Sequence, residues 1–204
     1  MLFFVIACSS TPEIPKPAEP GGEAGPTEPS PEPQRAPPRI RMGPEPVVDA
    51  DGNTTVRTPS VAITCPAGWH AEGATPARQA VKCTPPVADG SPPSGAMCVA
   101  ASEPAKPDAT AASHAEAATR YFVEQAGEVG AITNTDFEVA GVPMHRTSLV
   151  RQGTRVLAYT VVSDGLAGVA SCSAPEAEIE ALEPVFERIG RSLVRISKAP
   201  APTP

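Results

Sequence analysis

No run of 18 or more apolar residues occurs in the 204 residues of the chain, so nothing in it reads as a membrane-spanning helix. Basic charge is scarce too: 16 Lys and Arg stand against 23 Asp and Glu, a net charge of −7. A nucleic-acid surface needs a basic stripe, and that partner class is excluded. No cysteine belongs to a Cys-x-x-Cys pair, and His70, His114 and His145 stand apart from one another and from the cysteines. The spacing of a metal site is therefore missing. Gly-x-Ser-x-Gly, His-Glu-x-x-His, a phosphate-cradling glycine loop and an EF-hand pattern are all absent, as is any internal repeat. These absences weigh against an enzyme, and no cofactor is expected.

What is present begins with Leu2-Phe3-Phe4-Val5-Ile6-Ala7, which ends at Cys8 and gives way to Ser9-Ser10-Thr11-Pro12. Val5-Ile6-Ala7-Cys8 resembles the lipobox of a bacterial lipoprotein. The resemblance implies a signal peptide over residues 1–7 and lipidation (palmitate included) of the Cys8 sulfur. A full signal has a basic n-region and about 7 to 15 apolar residues. Here no Lys or Arg precedes Cys8, as though the start codon were placed too far downstream. Ser9, rather than an acidic residue, follows the cysteine, which in a Gram-negative host implies the outer membrane, facing the periplasm.

Twelve of the chain's 27 prolines lie between Pro12 and Pro46, and no aromatic residue falls between Ser9 and Pro46. Such a segment buries too little apolar surface to offset its ordering entropy. Residues 8–47 are expected to form a disordered tether, extended at roughly 3.1 Å per residue to a reach on the order of 100 Å. Pro-x-x-Pro spacings such as Pro12/Pro15 read more simply as spacer than as ligands for SH3-like domains. Residues 48–198 have the length of one domain, and residues 199–204 form a second proline-rich end. Asn53-Thr54-Thr55 matches a glycosylation acceptor, which a bacterial lipoprotein does not normally use.

With Cys8 set aside, the domain holds an even set, Cys65, Cys83, Cys98 and Cys172. In an oxidising compartment this reads as two disulfides with three possible connectivities. Cys83 and Cys98 flank the turn-rich stretch Thr84 to Gly95 and could face each other across a hairpin. The expected pairing is then Cys83–Cys98 and Cys65–Cys172.

Strand signals fall at about 60–65, 78–83, 96–101, 132–139, 142–150, 156–163 and 166–172. Gly141, Gln152-Gly153 and Asp164-Gly165 mark turns between the last four. Val156 to Val162 is apolar on both faces, so both must be covered. Asp108 is placed to cap a helix over about 109–125, with Ala111, Ala115, Ala118 and Phe122 along one face and Gly127 and Gly130 beyond its end. A last helix follows Ser173-Ala174-Pro175-Glu176, which fits a capping box. Its face is Ile179, Leu182, Phe186, Ile189 and Leu193, its acids come early and its arginines late, and Pro184 should kink or split it near Ala181. The fold class expected is α+β: an antiparallel sheet of about six or seven strands flanked by two main helices, an α/β/α sandwich.

Pro66-Ala67-Gly68-Trp69, Tyr121-Phe122, Val139-Ala140-Gly141-Val142-Pro143, Tyr159 in its strand and Phe186 through Leu193 together resemble the PsbP/DcrB-like family, over about 59–195. The resemblance implies a scaffold or binding module and supplies no catalytic residue. Taken with the lipobox, it implies a non-catalytic, lipid-anchored envelope protein. Its domain is expected to be monomeric, its partner a membrane through Cys8 and an envelope protein or small ligand.

Direct candidates for a site are few. His145, Arg146 and Trp69 are named as a possible ligand patch, although a half-exposed strand and a packed indole explain them as well. His114 reads as a surface histidine without a partner. Glu176 and Glu180 share a helical face, as a carboxylate site would, but acids in a first turn also suit the helix dipole. The alternative function is an envelope hydrolase or processing enzyme whose residues meet only in three dimensions, around His145 or His70.

Overall fold

The computed structural model describes residues 45–75, 79–87, 94–126 and 129–196. Cys8, the segment 1–44 and the tail from 197 lie outside them. The elements in chain order are β1 (Val47–Val48), β2 (Thr54–Arg57), β3 (Val61–Cys65), β4 (His70–Glu72), β5 (Val81–Thr84), β6 (Met97–Pro104) and α1 (Ala111–Ala126). They continue with β7 (Thr133–Val139), β8 (Val142–Arg151), β9 (Thr154–Ser163), β10 (Leu166–Pro175), α2 (Ile179–Arg191) and β11 (Val194–Arg195). This is an α+β fold of two helices and two antiparallel sheets, one of seven strands in the order β4-β5-β6-β10-β9-β8-β7 and one of four in the order β1-β2-β3-β11.

Three two-residue hairpins build half of the large sheet. Ala140-Gly141, Gln152-Gly153 and Asp164-Gly165 all have positive φ at both positions, the backbone of type I′ turns, whose twist matches that of the strands they join. The resulting strands β8, β9 and β10 are ten residues each, longer than local alternation alone indicated. The first strand expected from sequence, β3, does not enter this sheet. It pairs with β2 and, through Val194 opposite Ala62, with β11.

Both faces of the large sheet are covered, as the two-sided apolar pattern of β9 requires. On one, Phe122 of α1 packs with Leu149 and Val156. On the other, Leu157, Tyr159 and Val161 join Phe186 and Ile189 of α2 and Val61, Ile63 and Cys65 of the small sheet in the main core. Ser192, just past α2, accepts from the Thr64 amide at 2.8 Å and donates to the Ile189 carbonyl at 2.6 Å. The end of the helix is thereby fixed to β3.

Two helix starts differ from expectation. Thr110, not Asp108, caps α1. Its Oγ1 accepts from the Ser113 amide at 3.1 Å while the Ser113 hydroxyl accepts from the Thr110 amide at 3.0 Å, the reciprocal arrangement of a capping box. The box expected at Ser173–Glu176 does not form, because Ser173 to Pro175 still belong to β10, paired with Val156 through Thr154. A 3₁₀ turn at Glu176–Glu178 then leads into α2, which runs on through Pro184 without dividing at Ala181. Gly127, expected to end α1, lies outside the described residues.

The disulfides are Cys65–Cys83 and Cys98–Cys172, which corrects the expected pairing. Cys83 does lie directly opposite Cys98, but Cys172 lies directly opposite Cys98 on its other side. Three cysteines thus form one row across β5, β6 and β10, and Cys65 of the facing sheet reaches the Cys83 end of it. All four are fully buried. Cys98 has a cysteine opposite it on each side, and the one it bonds is the one far away in the chain.

Candidate functional site

His145 and Arg146 are consecutive on β8, so the strand alternation sends them to opposite faces. His145 shares the α1 face with Leu149 and is 3% exposed. Its Nδ1 lies 2.7 Å from Asp136 Oδ1 and its Nε2 3.2 Å from Asn134 Oδ1. The Thr147 hydroxyl donates to the same Asn134 oxygen at 2.9 Å. Pairing of β7 with β8 puts these side chains side by side, Asp136 opposite His145 and Asn134 opposite Thr147. Trp69 belongs to the core on the other side of the sheet, its ring edge-on to Phe186 at 6.3 Å. The sheet therefore separates His145 from both Arg146 and Trp69, and the three do not make one patch.

The other candidates are also tied to structural partners. His114 is not a free surface residue: its Nε2 lies 2.8 Å from Glu103 Oε1, and its side chain is only 13% exposed. His70 is exposed, 3.9 Å from Glu72. Glu176 stands in the turn before α2 and holds Arg155 at 3.0 Å, so it shares no helical face with Glu180. Among the described residues no three His, Cys, Asp or Glu side chains converge as a metal site would require. Nor is any helix long and apolar enough to cross a membrane.

A cleft does open where α2 crosses β7 and β8. It is about 180 Å³ and is lined by Thr135, Phe137, Arg146, Glu187 and Arg191. Thr135, Arg146 and Tyr159 form a row across β7, β8 and β9, with Glu183, Glu187 and Arg191 above them on successive turns of α2. Arg146 Nη1 donates to Glu187 Oε1 and to Glu183 Oε1, the latter at 3.4 Å. Arg191 Nε donates to the other Glu187 oxygen at 3.2 Å. One carboxylate thus holds two guanidinium groups. Arg191 also stacks over Phe137, 4.7 Å from the ring centroid, a favourable cation–π geometry, and Phe137 stands edge-on to Tyr159 at 6.4 Å.

Tyr159 is the largest fully buried side chain among the described residues. Its hydroxyl lies beside Arg146 and Glu187 yet makes no hydrogen bond of normal geometry. Burial, and then the Glu187 charge, push its pKa far above the ordinary phenol value, against the opposing pull of Arg146. For Arg146, burial works against the charged form, but the Glu187 carboxylate outweighs it and raises the pKa. Tyr159 lies beneath the cleft and does not line it, so what the cleft presents to a visitor is the two guanidinium groups held by Glu187.

Of the cleft residues, only Arg146 was singled out from sequence, and for a different neighbour. Arg191 read there as a charge complementing a helix dipole, and Glu187 only as part of the Phe186-to-Leu193 run of the family resemblance. The available signal was the spacing of Glu183, Glu187 and Arg191 at i, i+4, i+8, a second stripe beside the apolar one.

No family model matches the chain, and no curated protein does. Among solved structures, a Pseudomonas aeruginosa protein of unknown function is 13% identical, with 67% of this chain and 92% of that one covered and a TM-score of 0.49. The cyanobacterial PsbP (CyanoP) of Synechocystis sp. PCC 6803 is 10% identical, with 74% and 92% covered and a TM-score of 0.48. LpqN of Mycobacterium tuberculosis, described as involved in cell envelope biogenesis, is 14% identical, with 75% and 90% covered and a TM-score of 0.47.

Proposed function

We propose that the chain is a lipid-anchored protein of the bacterial cell envelope, held at the outer membrane facing the periplasm by lipid on Cys8. Its domain is a non-catalytic binding or scaffold module. The observation that carries this reading is the pair of disulfides, Cys65–Cys83 and Cys98–Cys172. Disulfides of this kind belong to an oxidising compartment, and every domain cysteine is used, so Cys8 alone is left for another role. The lipobox-like Val5-Ile6-Ala7-Cys8 and the proline-rich run behind it supply that role. The likeness of the motifs to the PsbP/DcrB-like family supports a module that binds rather than reacts.

The alternative is an envelope hydrolase or processing enzyme with a site assembled around His145 or His70. His145 engages Asp136 and Asn134 on the sheet face away from the cleft, and His70 is exposed beside Glu72; neither lines the cleft, which favours the non-catalytic reading.

The test is the mass of the N-terminal peptide from full-length protein made in a Gram-negative host. The expected result is a mature chain beginning at a lipid-modified Cys8, membrane-bound, with Cys8→Ser released to the soluble fraction. An unmodified Cys8 in membrane-free, processed protein overturns the anchor.

A further inference from the structure

We infer that the cleft between α2 and the β7–β8 pair recognises a carboxylate group, clamped by Arg146 and Arg191. The inference rests on the reading of the domain as a binding module and names the chemistry that it binds.

The argument is one of donors and acceptors. Glu187 accepts from Arg146 on one oxygen and from Arg191 on the other. Arg146 meets Glu183 and Glu187 through the same Nη1, and Arg191 meets Glu187 through Nε alone. Each guanidinium has more N–H donors than these contacts consume. The local surplus is therefore of donors, and the group that meets it is an acceptor with no proton to give. A carboxylate is planar and matches the guanidinium fork in two parallel bonds.

The two arginines are also positioned in advance. Glu187 bridges them, and Arg191 is further held over the Phe137 ring at 4.7 Å, so little side-chain freedom remains to be lost on binding. Arg191 keeps half of its side chain exposed, 51%, while Arg146 keeps 25%. A ligand thus meets Arg191 first and Arg146 deeper. Glu183 and Glu187 balance the two positive charges, so the cleft attracts no anion from a distance. It selects by the geometry of hydrogen bonds, and an amidated analogue binds more weakly because it offers one acceptor oxygen where the guanidinium fork takes two.

A carboxylate of this kind comes either from a small organic acid or from the C-terminus of a peptide, and one experiment separates the two. The full-length Cys8→Ser chain, with disulfides intact, is observed by NMR at the arginine Nε–H signals. It is titrated at constant ionic strength with sodium acetate, with sodium chloride, with Ala-Ala-Ala and with Ala-Ala-Ala amide. Acetate is expected to move the Arg146 and Arg191 signals saturably while chloride does not. A free tripeptide stronger than acetate identifies peptide C-termini as the source, and equal strength identifies small acids; either supports the clamp. Arg191→Gln, at the half-exposed position, should weaken acetate binding by about tenfold, the worth of a charge-assisted hydrogen bond, while the chain stays folded, with the unfolding midpoint lowered only by the modest worth of one exposed ion pair and one cation–π contact. Equal responses to acetate and chloride, amide binding as strong as the free peptide, or Arg191→Gln binding like the parent overturns the inference. None of these outcomes depends on Cys8, so failure of the clamp is distinguishable from failure of the anchor.

Discussion

Gly190 of α2 lies against the ring of Tyr159 so closely that a Cβ at position 190 would stand 2.3 Å from Tyr159 Cδ2 and 2.4 Å from Cγ and Cε2. The contact sets how near α2 approaches the sheet, and hence how Glu187 and Arg191 reach Arg146 and Phe137. The ring cannot step aside, because Tyr159 is fully buried and has Phe137 edge-on to it. Gly190→Ala gains about 1 kcal/mol of helix propensity but overpacks a core, a fault that costs about 1 to 3 kcal/mol and sometimes more. With a clash this severe the upper end applies, and the net loss should be about 2 kcal/mol in urea unfolding. The same substitution in a Tyr159→Leu background should cost less. An unchanged midpoint for Gly190→Ala would show that the helix does not seat on Tyr159.

The elements that sequence located well are those fixed by near neighbours. Asp164-Gly165 and its two counterparts announce hairpins because a type I′ turn demands residues that accept positive φ. Val156 to Val162 announces two covered faces because its alternation fails on both sides. Distant pairing is another matter. β11 is two residues long and joins β3 through Val194 opposite Ala62 and Arg195 opposite Val61, and no periodicity exists in two residues. The cleft was hidden for the same reason: Glu187 and Arg191 meet Arg146 and Phe137 only after α2 has docked. Arg146 stands beside His145 in the sequence, yet consecutive strand residues face opposite ways, and its partners come from α2.

The two disulfides should differ in what they contribute. Cys65–Cys83 spans 18 residues and Cys98–Cys172 spans 74. On loop-closure entropy, removing the first costs about 3 kcal/mol and removing the second about 4 to 5 kcal/mol. Paired Cys→Ala variants compared by urea unfolding should rank in that order. Non-reducing peptide mapping checks the connectivity itself. It should join the peptide of Cys65 to that of Cys83, and a Cys83–Cys98 link would contradict the structure.

Thr110→Ala removes the hydroxyl that accepts from the Ser113 amide at 3.1 Å. The expected loss is about 1 kcal/mol. Asp108→Ala, two residues earlier, should change stability by less than half of that if Thr110 is the cap. Equal losses would return the role to Asp108.

Tyr159 makes stability depend on alkali. Its phenol is held protonated in the folded chain beyond the ordinary value, which is about 10 for an unfolded tyrosine. Above about pH 10 the unfolded state has lost this proton and the native state has kept it, so the native state binds more protons and stability falls as pH rises. Below about pH 10 both states are protonated and the contribution is fully present. Tyr159→Phe removes the titration altogether. At neutral pH the variant should lie within about 1 kcal/mol of the parent, because the hydroxyl it deletes has no well-formed hydrogen bond to lose. Between about pH 10 and about pH 11 the parent should lose stability faster than Tyr159→Phe, by up to about 1.4 kcal/mol per pH unit. Unfolding midpoints taken in that range for both proteins decide the matter: parallel slopes would mean that the phenol titrates as it does in the unfolded chain, and that neither burial nor Glu187 acts on it.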